Sequence, residues 1–431
     1  MRLSPVSFYL DTRSIGGFME LWKRNLWILW TTQVISLMSF GFGLPFLPLY
    51  IIEDLGVTSE AQVNLWTSIL AAAPAITMGI MAPIWGKLSD QYGRKLMILR
   101  AMFSAVIVIG LMGAVSNVYQ LLTLRLLQGL LTGTVTAAAA FVGSNTPRDH
   151  LTDALGVISS STFIGYSLGP MIGGLFAKFF GYRMSFYLGG AIMLIGALMV
   201  TFLISEDKST LKKKTEEKVS LFKSYGNVLI PTVIAALITL FFLRISRTIF
   251  SPYLALFVKK FVAPENVSSV TGLLTGLVGF STAFASMNIG KITRRFDKFK
   301  VLPTLVLSGV VVMAMLTQYD KLAALLGVNG LVLFSIIYML FFVIVGGIEP
   351  IVTSTSAMSV DASERGALFG LQGMVGSMAW AAAPAIAAPI VYSNPIETVL
   401  YVVPIVMMII FIASIKLKKS VSNTEEKEMA L

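Results

Sequence analysis

The side chains of this chain that could do chemistry are a few charged residues set inside long apolar stretches. Glu349 follows two glycines and precedes Pro350, and it is the one acid that the sequence places well inside such a stretch. A carboxyl group in a low-dielectric setting can bind a proton, lose its charge and so change its pairing with a nearby cation. Glu349 is therefore predicted to carry a coupling proton. A structural ion pair with a basic residue of the seventh apolar stretch is the alternative.

Two arginines in the seventh apolar stretch form the second chemical feature. Arg244 and Arg247 are three residues apart, so they share one face of a helix. Both are expected to point into the protein and to belong to a substrate cavity. They could balance Glu349, or they could attract an anionic substrate.

A third charged position is Arg125 in Arg125-Leu126-Leu127-Gln128-Gly129. An arginine at the centre of a membrane helix costs about 2.5–3.5 kcal/mol on insertion scales, which favours a functional role. Gln128 lies one turn further on and shares its face. The alternative is that the Arg125 side chain extends to the nearer membrane surface.

The elements that position these residues are membrane helices. The chain is 56% apolar and 13% charged, and a span needs about 20 predominantly apolar residues. Twelve such runs predict an all-α polytopic membrane protein: 26–52, 63–85, 97–116, 118–141, 153–177, 184–204, 228–257, 267–289, 301–318, 328–358, 366–391 and 396–415.

The distribution of the +11 net charge predicts the topology. With a cytoplasmic N-terminus, the loops on the other side receive few cations, namely Lys178, Arg183, Lys259, Lys260 and Lys321. Because loops rich in Lys and Arg stay in the cytoplasm, both termini are predicted to be cytoplasmic. The protein itself is expected to lie in the plasma membrane. The charge thus indicates topology and not nucleic-acid binding. The absence of cysteine excludes disulfides and thiolate metal sites.

An internal repeat divides the chain. Pro48 aligns with Pro252, and residues 86–89 align with residues 290–293 at the same offset. The predicted domains are an N-terminal segment (1–25), a six-helix bundle (26–204), a polar linker (205–224), a second six-helix bundle (225–416) and a tail (417–431). Two such pseudo-symmetric bundles can expose a site between them to one side of the membrane at a time.

Two glycine-containing motifs connect the chain to a known family. The first is predicted to be a short loop between the second and third runs, and it includes Gly86, Asp90, Gly93, Arg94 and Lys95. The second motif lies in the fifth run and consists of four glycines and one proline, namely Gly165, Gly169, Pro170, Gly173 and Gly174. Together with residues 125–129 they resemble motifs of the major facilitator superfamily, in particular its twelve-helix drug:proton antiporters. Residues 22–25 and 45–50 further resemble bacterial multidrug exporters of the MdtG type.

The resemblance implies roles for both motifs and for Arg125. Asp90 would latch against the positive N-terminal end of a cytoplasmic helix, such as that of span 11, and release when the cytoplasmic side opens. Arg94 would then find an acidic partner such as Asp149 or Asp153. Simple capping of the third helix by Asp90 is the alternative. The glycines around Pro170 would let span 5 bend and pack closely, and Arg125 with Gln128 would take part in proton coupling.

The expected function is export of amphipathic drugs or related small molecules by proton antiport. Gln33 and Phe40 in the first span are candidates for the substrate cavity, although packing is the alternative for that helix face. No nucleotide-binding motif is present, so an ion gradient should drive transport by a protein that works as a monomer without a cofactor. The alternatives are a selective carrier for an anionic metabolite or sugar and a non-transporting receptor or scaffold.

Overall fold

The computed structural model describes residues 20–147, 150–206, 228–360 and 365–429. Within these ranges every regular element is helical. Most of the predicted N-terminal segment and linker lies outside the described residues, as does Asp149.

Eleven stretches of described residues are long and apolar enough to cross a membrane. One of them, Gly156–Leu203, has 48 residues, about 70 Å of helix at 1.5 Å per residue, or twice the thickness of a bilayer core. Its backbone is non-helical at Gly181, with φ 79° and ψ 169°, a conformation that suits glycine. The stretch therefore supplies spans 5 and 6, and the total is twelve.

Contacts along span 1 confirm that the chain reverses at Gly181. Between residues 165 and 173 the neighbours on span 1 advance from Leu37 to Phe42, whereas between residues 189 and 196 they return from Phe42 to Ile35. The two segments thus run antiparallel beside the same helix.

The helices of the first bundle are Leu21–Gly41 and Leu47–Glu53 (span 1), Glu60–Tyr92 (span 2), Arg94–Met112 (span 3), Val118–Leu131 and Thr134–Asn145 (span 4), and Leu151–Leu203 (spans 5 and 6). Those of the second are Pro231–Thr248 and Leu254–Val258 (span 7), Val267–Arg295 (span 8), Lys298–Leu316 (span 9), Gly330–Gly346 and Ile348–Met358 (span 10), Arg365–Ser393 (span 11), and Val402–Met429 (span 12). A short helix, Tyr319–Leu326, precedes span 10.

The repeat is visible in the first span of each bundle. Span 1 is interrupted by the 3-10 turn Leu44–Phe46 and span 7 by the 3-10 turn Ser251–Tyr253, each with a proline in its first two positions. Pro252 therefore corresponds to Pro45, three residues before the predicted Pro48. Proline lacks an N–H and cannot continue the helical ladder, which explains why both helices restart there.

The two bundles meet along two pairs of helices, span 2 with span 11 and span 5 with span 8. We call the side of the membrane on which Glu206 and Val228 lie the linker face, and the opposite side the far face. Hydrogen bonds between described residues join the bundles near the far face. Asn64 Nδ2 donates to the Val391 carbonyl at 3.0 Å, the Ser68 hydroxyl bonds to Tyr253 Oη, and Lys178 Nζ donates to Asn266 Oδ1 at 2.9 Å.

The motif between spans 2 and 3 differs from the predicted loop. Span 2 continues as a helix to Tyr92, and span 3 begins at Arg94. The turn is therefore Gly93 alone, whose φ of 102° lies in the region that favours glycine. Gly86 and Asp90 belong to the last turns of span 2, so most of this motif is helical.

Candidate functional site

Glu349 lies where span 10 is broken into two helices. The first helix ends at Gly346 and the second begins at Ile348, so Glu349 sits in its first turn, where the helix dipole favours a negative charge. A Cβ on Gly346 would lie 2.9 Å from the Thr282 carbonyl oxygen, and Ser286 Oγ donates to the Gly346 carbonyl at 2.8 Å. The glycine thus lets span 8 approach, and Ser286 satisfies a carbonyl next to the break.

The carboxylate of Glu349 is shared by the two arginines of span 7. Arg244 Nη2 donates to Glu349 Oε1 at 2.7 Å, and Arg247 Nη1 donates to Oε2 at 2.9 Å. Such charge-assisted bonds are stronger than neutral ones. The ion pair that the sequence left open as an alternative is present, and we call these three residues the triad.

A glycine of span 11 makes room for the Arg244 guanidinium. A Cβ on Gly376 would lie 1.5 Å from Arg244 Nη1 and 2.7 Å from Cζ. Since span 11 also packs on span 2 of the first bundle, the triad lies beside one of the two inter-bundle contacts. Glycines in apolar segments have several possible roles, so Gly376 was not among the predicted site residues.

Arg125 is buried between spans 4 and 2, with 5% of its surface exposed. Its Nε donates to the Leu70 carbonyl at 2.8 Å, and its Nη1 donates to Gln128 Oε1 at 2.5 Å. The side chain therefore does not extend to the membrane surface. Both of its hydrogen-bond acceptors among the described residues are uncharged, and no described acid forms an ion pair with it.

The glycines of span 5 form its contact with span 1. A Cβ on Gly165 would lie 2.6 Å from Leu37 Cβ, one on Gly169 2.7 Å from the Met38 carbonyl oxygen, and one on Gly173 2.5 Å from the Phe42 Cα. Any side chain at these positions would separate the helices.

On its other side, span 5 touches span 8 of the second bundle. A Cβ on Gly174 would lie 2.3 Å from the Ser268 carbonyl oxygen, and one on Gly272 would lie 2.1 Å from the Pro170 carbonyl oxygen. Glycines from both bundles therefore form this crossing. The contribution of span 8 was missed in the sequence, although Gly272 and Gly276 have the same four-residue spacing as Gly165 and Gly169 of span 5.

At the linker face, the N-terminus of span 3 is held by Glu206. Glu206 Oε1 accepts from the Arg94 N–H at 2.8 Å, Oε2 accepts from the Lys95 N–H at 3.0 Å, and Lys95 Nζ donates to the Thr201 and Ile204 carbonyls. A carboxylate at a helix N-terminus satisfies free N–H groups. The side chains of Asp90, the predicted latch, and of Asp153, the predicted acidic partner of Arg94, are not among those that the structure describes.

The two cavity candidates of span 1 lie against other helices. Gln33 is 1% exposed and donates through Nε2 to the Thr134 carbonyl of span 4 at 3.2 Å. Phe40 is half-buried and packs against the apolar core. Gln33 therefore belongs to a helix contact in this conformation, because tight packing against span 4 covers it.

The family and its relatives are consistent with this architecture. Residues 29–384 match the family model described as Major Facilitator Superfamily. The multidrug resistance protein MdtG of Proteus mirabilis strain HI4320 is 33% identical over 309 residues, which cover 70% of this chain and 76% of that protein. MdtG of Escherichia coli strain K12 / DH10B is 32% identical over 294 residues, covering 68% and 71%.

Solved structures with low sequence identity share the fold. A bacterial homologue of the human lysosomal transporter Spinster has a TM-score of 0.72 at 14% identity and covers 94% of this chain and 99% of its own. The nucleoside transporter NupG has a TM-score of 0.69 at 13% identity and covers 93% and 100%. The two six-helix bundles, the motifs and these relatives together show that the chain belongs to the major facilitator superfamily, as a multi-pass membrane transporter and not an enzyme.

Proposed function

We propose that this transporter exports amphipathic drugs or related small molecules across the plasma membrane in exchange for protons. In this proposal the two bundles rock about the contacts of span 2 with span 11 and of span 5 with span 8, and the site between them faces one side at a time. The cation-rich linker face is the cytoplasmic one, and a monomer is the working unit. The similarity to MdtG multidrug resistance proteins supports drug export.

The observation that carries the coupling proposal is the placement of Glu349. Its carboxylate lies in the break of span 10 and accepts one hydrogen bond from each of two arginines. A proton on Glu349 would remove the negative charge that holds both guanidiniums. The pairing between spans 7 and 10 would then weaken, which links protonation to a rearrangement of the second bundle.

The bundle contacts support the direction of the cycle. The hydrogen bonds between the bundles and the glycine crossing of spans 5 and 8 lie near the far face or in the far half of the spans. With that side closed, a substrate would enter from the linker face, as export from the cytoplasm requires. Opening of the far face then requires the glycine crossing to separate.

The experiment is transport into proteoliposomes with an imposed pH gradient. A lipophilic cation dye, a neutral drug and an organic anion are compared for wild type, Glu349→Gln and Asp320→Asn. Asp320 is an exposed acid in the short helix before span 10, so its variant controls for the loss of a carboxylate as such.

We expect gradient-driven movement of the dye in wild type and Asp320→Asn, and loss of that movement in Glu349→Gln. Proton-dependent transport that survives in Glu349→Gln would remove Glu349 from the coupling mechanism. Movement of the organic anion alone would favour a selective anion carrier, and no movement of any probe would contradict the proposed export.

A further inference from the structure

The triad carries one more positive charge than negative charge. Two guanidiniums face a single carboxylate, and arginine stays protonated in proteins. We propose that the triad is a binding site for one anionic group, which lies against the guanidinium donors that Glu349 leaves free.

The free donors are the first argument. Each guanidinium has five N–H donors, and Arg244 and Arg247 each make one side-chain hydrogen bond, to Glu349, among the described residues. None of their nitrogen atoms is among the described atoms that are both buried and without a hydrogen-bond partner. The remaining donors are therefore accessible and not enclosed by packing.

The exposure of the side chains agrees with this. The exposed fractions are 34% for Arg244, 30% for Glu349 and 18% for Arg247, although all three lie well away from the ends of the membrane spans Pro231–Val258 and Gly330–Met358. An ion pair closed off by packing would show much less exposure. The triad is thus partly accessible and is not fully closed off by packing.

The geometry is also suited to an anion. Each arginine binds a different oxygen of Glu349. The carboxylate is therefore shared between two guanidiniums and is not held by one guanidinium through two parallel hydrogen bonds. Arg244 is further held in the space left by Gly376. A planar or tetrahedral oxyanion is recognised by guanidinium donors that are held in fixed positions.

The electrostatic setting favours an anion over water alone. Among the described residues, Arg125 in the other bundle has only uncharged hydrogen-bond acceptors, so the described charged groups in mid-span carry an excess of positive charge. Unbalanced charge is costly within a membrane-spanning region, and an anion at the triad reduces that cost.

The anionic group could come from a small inorganic ion or from the transported molecule itself. In the second case, which rests on the proposed function, the exported amphiphiles would include molecules with a carboxylate, phosphate or sulfonate group. Both sources share the same chemistry at the triad, and the experiment separates them.

The test measures binding without a proton gradient, so its result does not depend on transport. Thermal unfolding of the purified full chain in an uncharged detergent is followed by the fluorescence of its six tryptophans. Chloride, inorganic phosphate and benzenesulfonate are titrated separately. The variants are Arg247→Gln, Glu349→Gln and, as a control for surface charge, Arg295→Gln, which changes an exposed arginine at the linker-face end of span 8.

We expect saturable stabilisation of wild type and Arg295→Gln by at least one probe, and its loss in Arg247→Gln. Glu349→Gln removes the internal anion that competes for the guanidiniums, so it should bind the same probe at least about tenfold more tightly. This gain of affinity cannot result from misfolding. Stabilisation by chloride and phosphate indicates an inorganic ion, whereas stabilisation by benzenesulfonate alone indicates the anionic group of a transported molecule.

The proposal is overturned if no probe stabilises wild type or Glu349→Gln in a saturable way, or if Arg247→Gln responds as wild type does. Binding with these properties would stand even if no probe moved in the proton-driven assay, in which case the export proposal alone would fail.

Discussion

The substitution Gly376→Ala tests whether the space left by this glycine positions the triad. The new methyl group would lie 1.5 Å from Arg244 Nη1, and normal contact between such atoms needs about 3.5 Å. The guanidinium must therefore move by about 2 Å. Because it ends a flexible side chain, it can turn away without separating spans 7 and 11, but its 2.7 Å bond to Glu349 would break.

The expected cost follows from that bond. A hydrogen bond to a charged group contributes about 1.5–3 kcal/mol, whereas replacing glycine with alanine inside a helix adds about 1 kcal/mol of stability. Gly373→Ala is a matched control, because it lies one turn away in span 11 and its Cβ would meet nothing within 4 Å. Helix propensity cancels between the two variants, so Gly376→Ala should be less stable than Gly373→Ala by about 1.5–3 kcal/mol.

The assay is thermal unfolding of both variants, followed by tryptophan fluorescence. It is repeated in an Arg244→Gln background, where the shorter side chain leaves no guanidinium in the space beside position 376. The difference between the alanine variants should shrink there, since the two positions are coupled. Equal stability of Gly376→Ala and Gly373→Ala in the wild-type background would refute the assigned role of Gly376.

Two further predictions concern the helix contacts. Gly272→Ala places a Cβ 2.1 Å from the Pro170 carbonyl oxygen, so it should destabilise the contact of spans 5 and 8 by about 1–3 kcal/mol. A cysteine introduced at Ser268 should then react faster with a thiol reagent. Gly290→Ala, whose Cβ meets nothing within 4 Å, is the control, and equal labelling rates in the two variants would contradict the prediction. Gln128→Leu removes a hydrogen-bond acceptor of Arg125 and should lower the free energy of unfolding by about 1–3 kcal/mol, measured by thermal unfolding. Gln128→Glu keeps an acceptor and is the control. Equal losses of stability in both variants would show that this hydrogen bond is unimportant.

The number and positions of the membrane spans could be predicted from the sequence because they depend on local composition. About 20 apolar residues in a row suffice to define a span. The sequence alignment exposed the repeat, although it paired Pro252 with Pro48 and the equivalent turns contain Pro45 and Pro252. The same local logic placed Glu349, Arg244 and Arg247 inside spans 10 and 7. The helical geometry of span 7 also put both arginines on one face.

Predictions about turns were less accurate. Residues 86–95 were expected to form a loop, because their polar composition resembles one, yet the helix of span 2 continues to Tyr92. A polar helix end and a loop have similar composition, and only the positive φ of Gly93 marks the turn. The role of Glu206 at the N-terminus of span 3 could not be predicted, since it comes from the end of span 6, 112 residues after Arg94.

The sequence by itself determined that this chain is a helical membrane protein of two related halves with few charges inside its spans. Only the tertiary structure decided how those charges are paired, because Arg244 and Glu349 are 105 residues apart and meet only when spans 7 and 10 pack. It also decided which glycines matter. Gly376 and Gly373 are both glycines of span 11, and nothing in the sequence distinguishes their roles. A Cβ on Gly376 would meet the Arg244 guanidinium, whereas a Cβ on Gly373 would meet nothing within 4 Å.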